Sequence, residues 1–149
     1  MSRCLKKCHE WARIAAMLVI REAQLRRFDE EVRARFIDEV EEAARKNLAA
    51  QVAPLQPQDL RARIAFAVSR AEEIGLSWRS SILLFAQLML VIGPDFDQRP
   101  ALGEYLDADP AERDARMLRI TTAGPSSCLE PSDAAEAESR WQAVLGSAR

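Results

Sequence analysis

Glycine is scarce in this chain, five in 149 residues, and a single histidine accompanies three cysteines. The shortage of glycine excludes a phosphate-cradling loop, which needs positions where the backbone can approach an anion closely. Cys4, Cys8 and His9 lie near enough on a helix to be tried as zinc ligands, but Cys128 is far away in a Ser/Pro-rich stretch and a fourth ligand is missing. The thiols therefore read as reduced, and no metal and no cofactor is expected. Charge of one sign is lacking too: 21 basic against 23 acidic side chains leave a net -2, where a nucleic-acid binder needs a basic face. No apolar stretch reaches the roughly twenty residues of a bilayer span, so membrane insertion is not expected. No serine or cysteine stands with a histidine and an acid in a catalytic spacing. The expectation is a non-enzyme with no catalytic residues.

What is present is the material of a helical core. Hydrophobic residues make up 48% and charged residues 30% of the chain, the balance of a folded protein. A chain of this length buries roughly two-thirds of its unfolded surface on folding, enough for one domain. From Arg21 to Gln51 the residues Leu25, Phe28, Val32, Phe36, Val40, Ala44 and Leu48 recur at three- and four-residue steps, which predicts one long amphipathic helix or two with a small break. The other face mixes charges of both signs and reads as solvated.

Pro54 and Pro57 open a linker, and Pro57 suits the first turn of a second helix that runs to about Ile74 and stops at Gly75. Ser77 is placed to cap a third helix, in which Ile82, Leu83, Leu84 and Phe85, then Leu88 to Ile92, are apolar around the whole cylinder. Such a helix is expected to be buried on every side and to form the core. Beyond Gly93 the chain turns acidic. Pro100 predicts a short helix through Leu106, and Asp109-Pro110 an N-cap with proline at the first helical position for a helix to about Ile120, with Met117, Leu118 and Ile120 inward. A loop follows, then a weak helix from Ser132 to Leu145 that docks through Trp141, Val144 and Leu145.

The fold class expected is all-α, a compact bundle of about five to six helices around a central apolar helix at about 78–92. Residues 17–122 form the helical domain, and 123–149 a loop with a weakly docked C-terminal helix. Two readings of residues 1–16 stand. Leu5, Trp11 and Ile14 could lie on a basic amphipathic helix, or the segment is a non-native or flexible extension ahead of a natural start at Met17, which the onset of regular patterning favours. Arg3, Lys6 and Lys7 resemble a secretory n-region, but Glu10 and Arg13 interrupt the apolar part, so a cytoplasmic location is expected.

Asp95 and Asp97, two residues apart, invite a cation-binding reading, but the glycine and closing glutamate of a calcium loop are absent. Capping or pairing with arginine is the reading preferred, with Phe96 plugging the core beneath. Gly75 between two helices suggests a helix-turn-helix regulator, yet the following helix is the most apolar in the chain, the opposite of one that reads a groove.

The segments IREAQLRRF, RIAFAVSRAEEIGLSWRSSILLFAQLMLVIGPDFDQRPAL and DPAERDARMLRI resemble a group of small all-helical bacterial proteins commonly encoded beside type VI secretion effectors and their adaptor chaperones. The resemblance spans roughly residues 17 to 120 and is most specific at Ile92 to Asp97 with Arg70, Ala71 and Gly75 before it. It implies a non-enzymatic accessory that binds another protein, an effector or its adaptor chaperone. Trp78, Asp95, Phe96, Asp97 and Tyr105 are the candidate partner-binding residues, with core packing the competing reading for each aromatic. An immunity protein is the alternative, its acidic region from Asp95 to Asp114 facing a basic toxin cleft.

Overall fold

The computed structural model describes residues 29–147. The expectations for residues 1–16, for Cys4, Cys8 and His9, and for Leu25 and Phe28 lie outside them. The chain divides into two compact units, Met1–Phe36 and Ile37–Arg149. Of the first, the described residues 29–36 are helical, with Val32 exposed. Among the described residues there are eight α-helices and no strand, so the fold is all-α.

The first helix, α1, takes in residues 29–47 and breaks at Leu48, after which one further turn, α2, forms at Ala49–Val52. Ile37, Val40 and Ala44 are buried at three- and four-residue spacing, as an amphipathic stripe requires. On the second unit's part of α1, Asp38 accepts a 2.6 Å bond from Arg61, and Glu39 pairs with Arg79.

Helix α3, Pro57–Glu73, begins with proline at its first position, where the absent N–H costs nothing. It buries Leu60, Ile64, Ala67, Val68 and Ala71, which share one face of the helix. Gly75 ends it at φ +96, with the Gly75 N–H on the Glu72 carbonyl at 3.0 Å and the Leu76 N–H on the Ala71 carbonyl at 3.0 Å. Those two bonds satisfy carbonyls that the last turn leaves open, and only glycine takes the left-handed conformation freely.

Helix α4, Arg79–Ile92, packs chiefly on α3 and also on α6. The expectation that it is buried on every side holds for one face only. Ser81, Ile82, Phe85, Ala86, Met89 and Ile92 are buried, while Leu83, Leu84, Leu88 and Leu90 are half-buried and Val91 is exposed. With short helices covering part of its circumference, an all-apolar cylinder keeps one half-covered flank. Gly93, at φ +137, stops it.

A 3₁₀ turn at Phe96–Gln98 leads into α5, Pro100–Asp107. The single helix expected from Asp109 to Ile120 is instead three pieces: a 3₁₀ turn at Pro110–Glu112, α6 at Arg113–Leu118 and α7 at Ile120–Ala123. Asp109 does cap the start, accepting from the Ala111 N–H at 3.1 Å. The break at Arg119 turns Leu118 outward, contrary to expectation, and leaves Met117 and Ile120 in the core. Residues Ser126–Leu129 form another 3₁₀ turn, and α8 closes the described chain at Ala134–Ser147. Asp133 starts α8 by accepting from the Ala135 N–H at 2.9 Å. Of the three residues expected to dock this helix, Trp141 is buried and Val144 and Leu145 are half-buried.

Phe85 and Phe96 meet at 5.4 Å between ring centroids, with Leu60, Ile64, Met89, Leu102, Met117 and Ile120 also sealed from solvent. Each such side chain contributes on the order of 2 kcal/mol of burial free energy.

Candidate functional site

The start of α4 is held by a carboxylate from another helix. Ser77 is expected to cap this helix, but the residue at the N-cap is Trp78, and the capping oxygens come from another helix. Asp114 of α6 accepts from the Ser77 N–H at 2.9 Å and the Trp78 N–H at 2.8 Å through Oδ1, and from the Ser77 hydroxyl at 3.0 Å through Oδ2. The Ser81 hydroxyl also bonds Asp114 Oδ1 and is itself within 2.8 Å of the Trp78 carbonyl. An ionised carboxylate is a stronger acceptor than a neutral hydroxyl and favours the positive end of a helix, so it displaces Ser77 from the capping role. Burial pushes the Asp114 carboxyl up, but the bonds from Ser81, Trp78 and Ser77 outweigh it and hold the group below the usual carboxylate range.

This clamp fixes the backbone of Trp78 while the residue stays 51% exposed. Arg79 beside it is also exposed. On α6, one turn beyond Asp114 and so on the same face, Leu118 is exposed as well.

The other four candidates are placed differently. Phe96 is 0% exposed and belongs to the core. The Asp97 carboxylate is buried and takes the Nε of Arg70 at 2.7 Å and a second bond from the same guanidinium, while Arg70 also reaches Glu73 at 2.7 Å. Asp95 receives Arg140 of α8 at 2.9 Å. Tyr105 is half-buried: its hydroxyl donates to the Arg116 carbonyl at 3.1 Å, the Arg116 guanidinium donates to the Tyr105 carbonyl at 3.1 Å, and the cation lies over the ring at 5.6 Å. The structure thus separates Trp78, at the start of α4, from Asp95, Phe96 and Asp97 beyond its end.

The chemistry of the turn after α4 is internal bracing. Arg99 extends it, donating from one guanidinium nitrogen to the carbonyls of Cys128 at 3.1 Å and Glu130 at 2.6 Å, and from the other to the Ser132 hydroxyl at 3.2 Å. Sequence reasoning missed Asp114, Arg99 and a third residue, Arg63. Arg63 is 4% exposed, gives both oxygens of Glu138 a 2.7 Å bond, and lies 5.2 Å from the Trp141 ring centroid. These pairings join residues tens of positions apart, where periodicity carries no signal.

Among the described residues no group of three histidine, cysteine or acidic side chains could hold a metal ion. Burial raises the Cys128 thiol above its ordinary value despite nearby Arg99, so it is a poor nucleophile where it sits. A shallow depression on α1 is lined by Asp38, Glu41, Glu42 and Arg45, all on a single solvated helix face. No described helix is long and apolar enough to cross a membrane. Comparison of the chain with protein-family models, with curated proteins and with solved structures finds no match in any of the three.

Proposed function

We propose that this chain is a non-enzymatic protein-binding accessory that serves the loading of a type VI secretion effector, by holding the effector or its adaptor chaperone. The observation that supports binding is Trp78: a large aromatic, 51% exposed, on a backbone already immobilised by Asp114. An anchor of that kind loses little further freedom on association, and tryptophan and arginine are among the residue types most enriched at interface hot spots. The place in secretion rests on the sequence resemblance alone.

The immunity reading has less support. Its acidic stretch is largely engaged within the protein, Asp95 with Arg140, Asp97 with Arg70, Asp107 with Arg113 and Asp114 with the start of α4. Carboxylates so neutralised project little field toward a basic cleft.

Affinity purification of the tagged full chain from its native bacterium tests the proposal. The wild type is expected to retain an effector together with a chaperone, and Trp78→Ala to lose both while its stability changes by no more than about 0.5 kcal/mol. Retention by Trp78→Ala overturns the binding surface. Recovery of a toxin domain alone, with its activity abolished, selects the immunity reading.

A further inference from the structure

Helix α8 is held to the rest of its unit by a narrow strip of side chains. Trp141 is its fully buried residue, set edge-on to Phe66 at 5.8 Å and an 80° interplanar angle, beneath the Arg63 guanidinium. Glu138, one turn earlier, carries both bonds from Arg63 yet is 47% exposed on its side chain. Arg140 answers Asp95, and the position of a Cβ on Gly93 would lie 3.7 Å from Ala137, so the small pair Ala137 and Gly93 lets the helix lie close. The contact face of α8 therefore centres on Ala137, Glu138, Arg140 and Trp141, small, acid, base and aromatic, with Val144 and Leu145 half-buried beyond them.

The chain leading into α8 is held in a different way. Arg99 grips the carbonyls of Cys128 and Glu130, Cys128 is buried, and the Ser132 N–H reaches the Ile92 carbonyl at 3.4 Å. The anchor ends at Ser132, and α8 begins at Ala134. The groups that hold this loop, Arg99 and the Ile92 carbonyl, lie outside α8.

Departure of α8 would uncover Arg63, a cation buried on α3 one turn before Phe66. The Nε of Arg63 has no hydrogen-bond partner even with α8 seated, so the guanidinium holds a donor beyond those Glu138 uses. A carboxylate engaging Nε together with a terminal nitrogen, side-on, would satisfy that donor as well.

We propose that the α3 slot is a recognition site for an amphipathic helix that presents a carboxylate one turn ahead of a tryptophan, and that α8 is its tethered, displaceable occupant. The occupant seated on it defines the ligand chemistry: an aromatic for the pocket beside Phe66, an acid for Arg63, a base for Asp95. Local opening of single helices is a low-cost motion of a bundle, and tethering keeps the slot closed until a better-fitting helix competes. The site is separate from Trp78 and does not rest on the function proposed above.

A fluorescent, capped peptide of residues 133–147 is the probe, titrated into the full chain and followed by anisotropy. The Trp141→Ala chain, whose own α8 has lost its anchor, is expected to bind at least tenfold more tightly than wild type. Replacing tryptophan by alanine or Glu138 by glutamine in the peptide, or Arg63 by methionine in that chain, should each weaken binding at least tenfold, whereas Trp78→Ala should change nothing. Equal affinity for wild type and Trp141→Ala, or indifference to the peptide's tryptophan and acid, overturns the proposal. Should Trp141→Ala not fold, hydrogen exchange on wild type decides: α8 amides should exchange at least tenfold faster than those of α3 and α4, and exchange of α8 only with global unfolding overturns it. A dimer formed by mutual exchange of α8 would assign the slot to a second copy and overturn the partner helix.

Discussion

Asp114 holds the first turn of a helix that it does not belong to, and its removal should be felt in proportion. Asp114→Ala leaves the Ser77 and Trp78 amides without their acceptor, a loss of roughly 2 kcal/mol for a charged cap, seen as a drop in Tm of several degrees. The effect has a defined pH window. The folded carboxyl titrates below its unfolded value of about 3.9, so its contribution is complete above that pH and is lost as pH falls through the folded value. Urea unfolding of wild type and Asp114→Ala should therefore converge below about pH 4. Phe96→Ala tests the opposite extreme, a side chain with no exposure: a cost of about 3–5 kcal/mol is expected, with any loss of binding accompanied by loss of fold. Trp78 and Phe96 are both aromatics near an end of α4, and sequence offers the same two readings for each. What separates them is the direction in which the backbone aims each ring, which depends on a carboxylate 36 residues away in one case and on Phe85 in the other.

At the level of elements, the helices whose periodicity is strong are legible in sequence almost to the residue. Pro57 and Gly75 bound α3 because a missing N–H and a left-handed φ are local needs with local solutions. The stretch from Asp109 to Ala123 is less legible, since its break at Arg119 depends on Met117 and Ile120 both reaching the core. Two substitutions probe the junctions. Gly75→Ala forces a side chain into φ +96, where its Cβ would sit 2.5 Å from the Arg113 guanidinium, and should cost about 1 kcal/mol or somewhat more in equilibrium unfolding. Arg70→Ala leaves the Asp97 carboxylate buried without its cation and should cost about 3 kcal/mol, whereas replacing both residues by apolar ones of similar size should recover much of that loss. A double-mutant cycle on Arg70 and Asp97 would measure the coupling, and an interaction energy near zero would remove the pair from the structural supports.

Across the second unit, arginine is the fastener. Arg63, Arg70, Arg99, Arg113, Arg116 and Arg140 each join separate segments of the chain, and each uses the planar, multiply donating guanidinium that lysine lacks. Composition displays the excess of arginine, but only the fold shows that so much of it faces inward. Acid should loosen this network from its carboxylate side. Bonds from Arg63 and then Gln142 hold the Glu138 carboxyl below its ordinary range, so the Arg63 contact is complete above about pH 4.3 and fails as pH falls through the folded value. Amide exchange in α8 is expected to accelerate in that window before the rest of the unit responds. The same unit should be unexpectedly resistant one step earlier in the chain. Between Pro125 and Pro131 the serines and flanking prolines advertise an easy target for a protease, yet the grip of Arg99 on the Cys128 and Glu130 carbonyls withholds the extended shape that cleavage demands. Nicks made under mild digestion should begin past Ser132 and spare the stretch whose letters look most vulnerable.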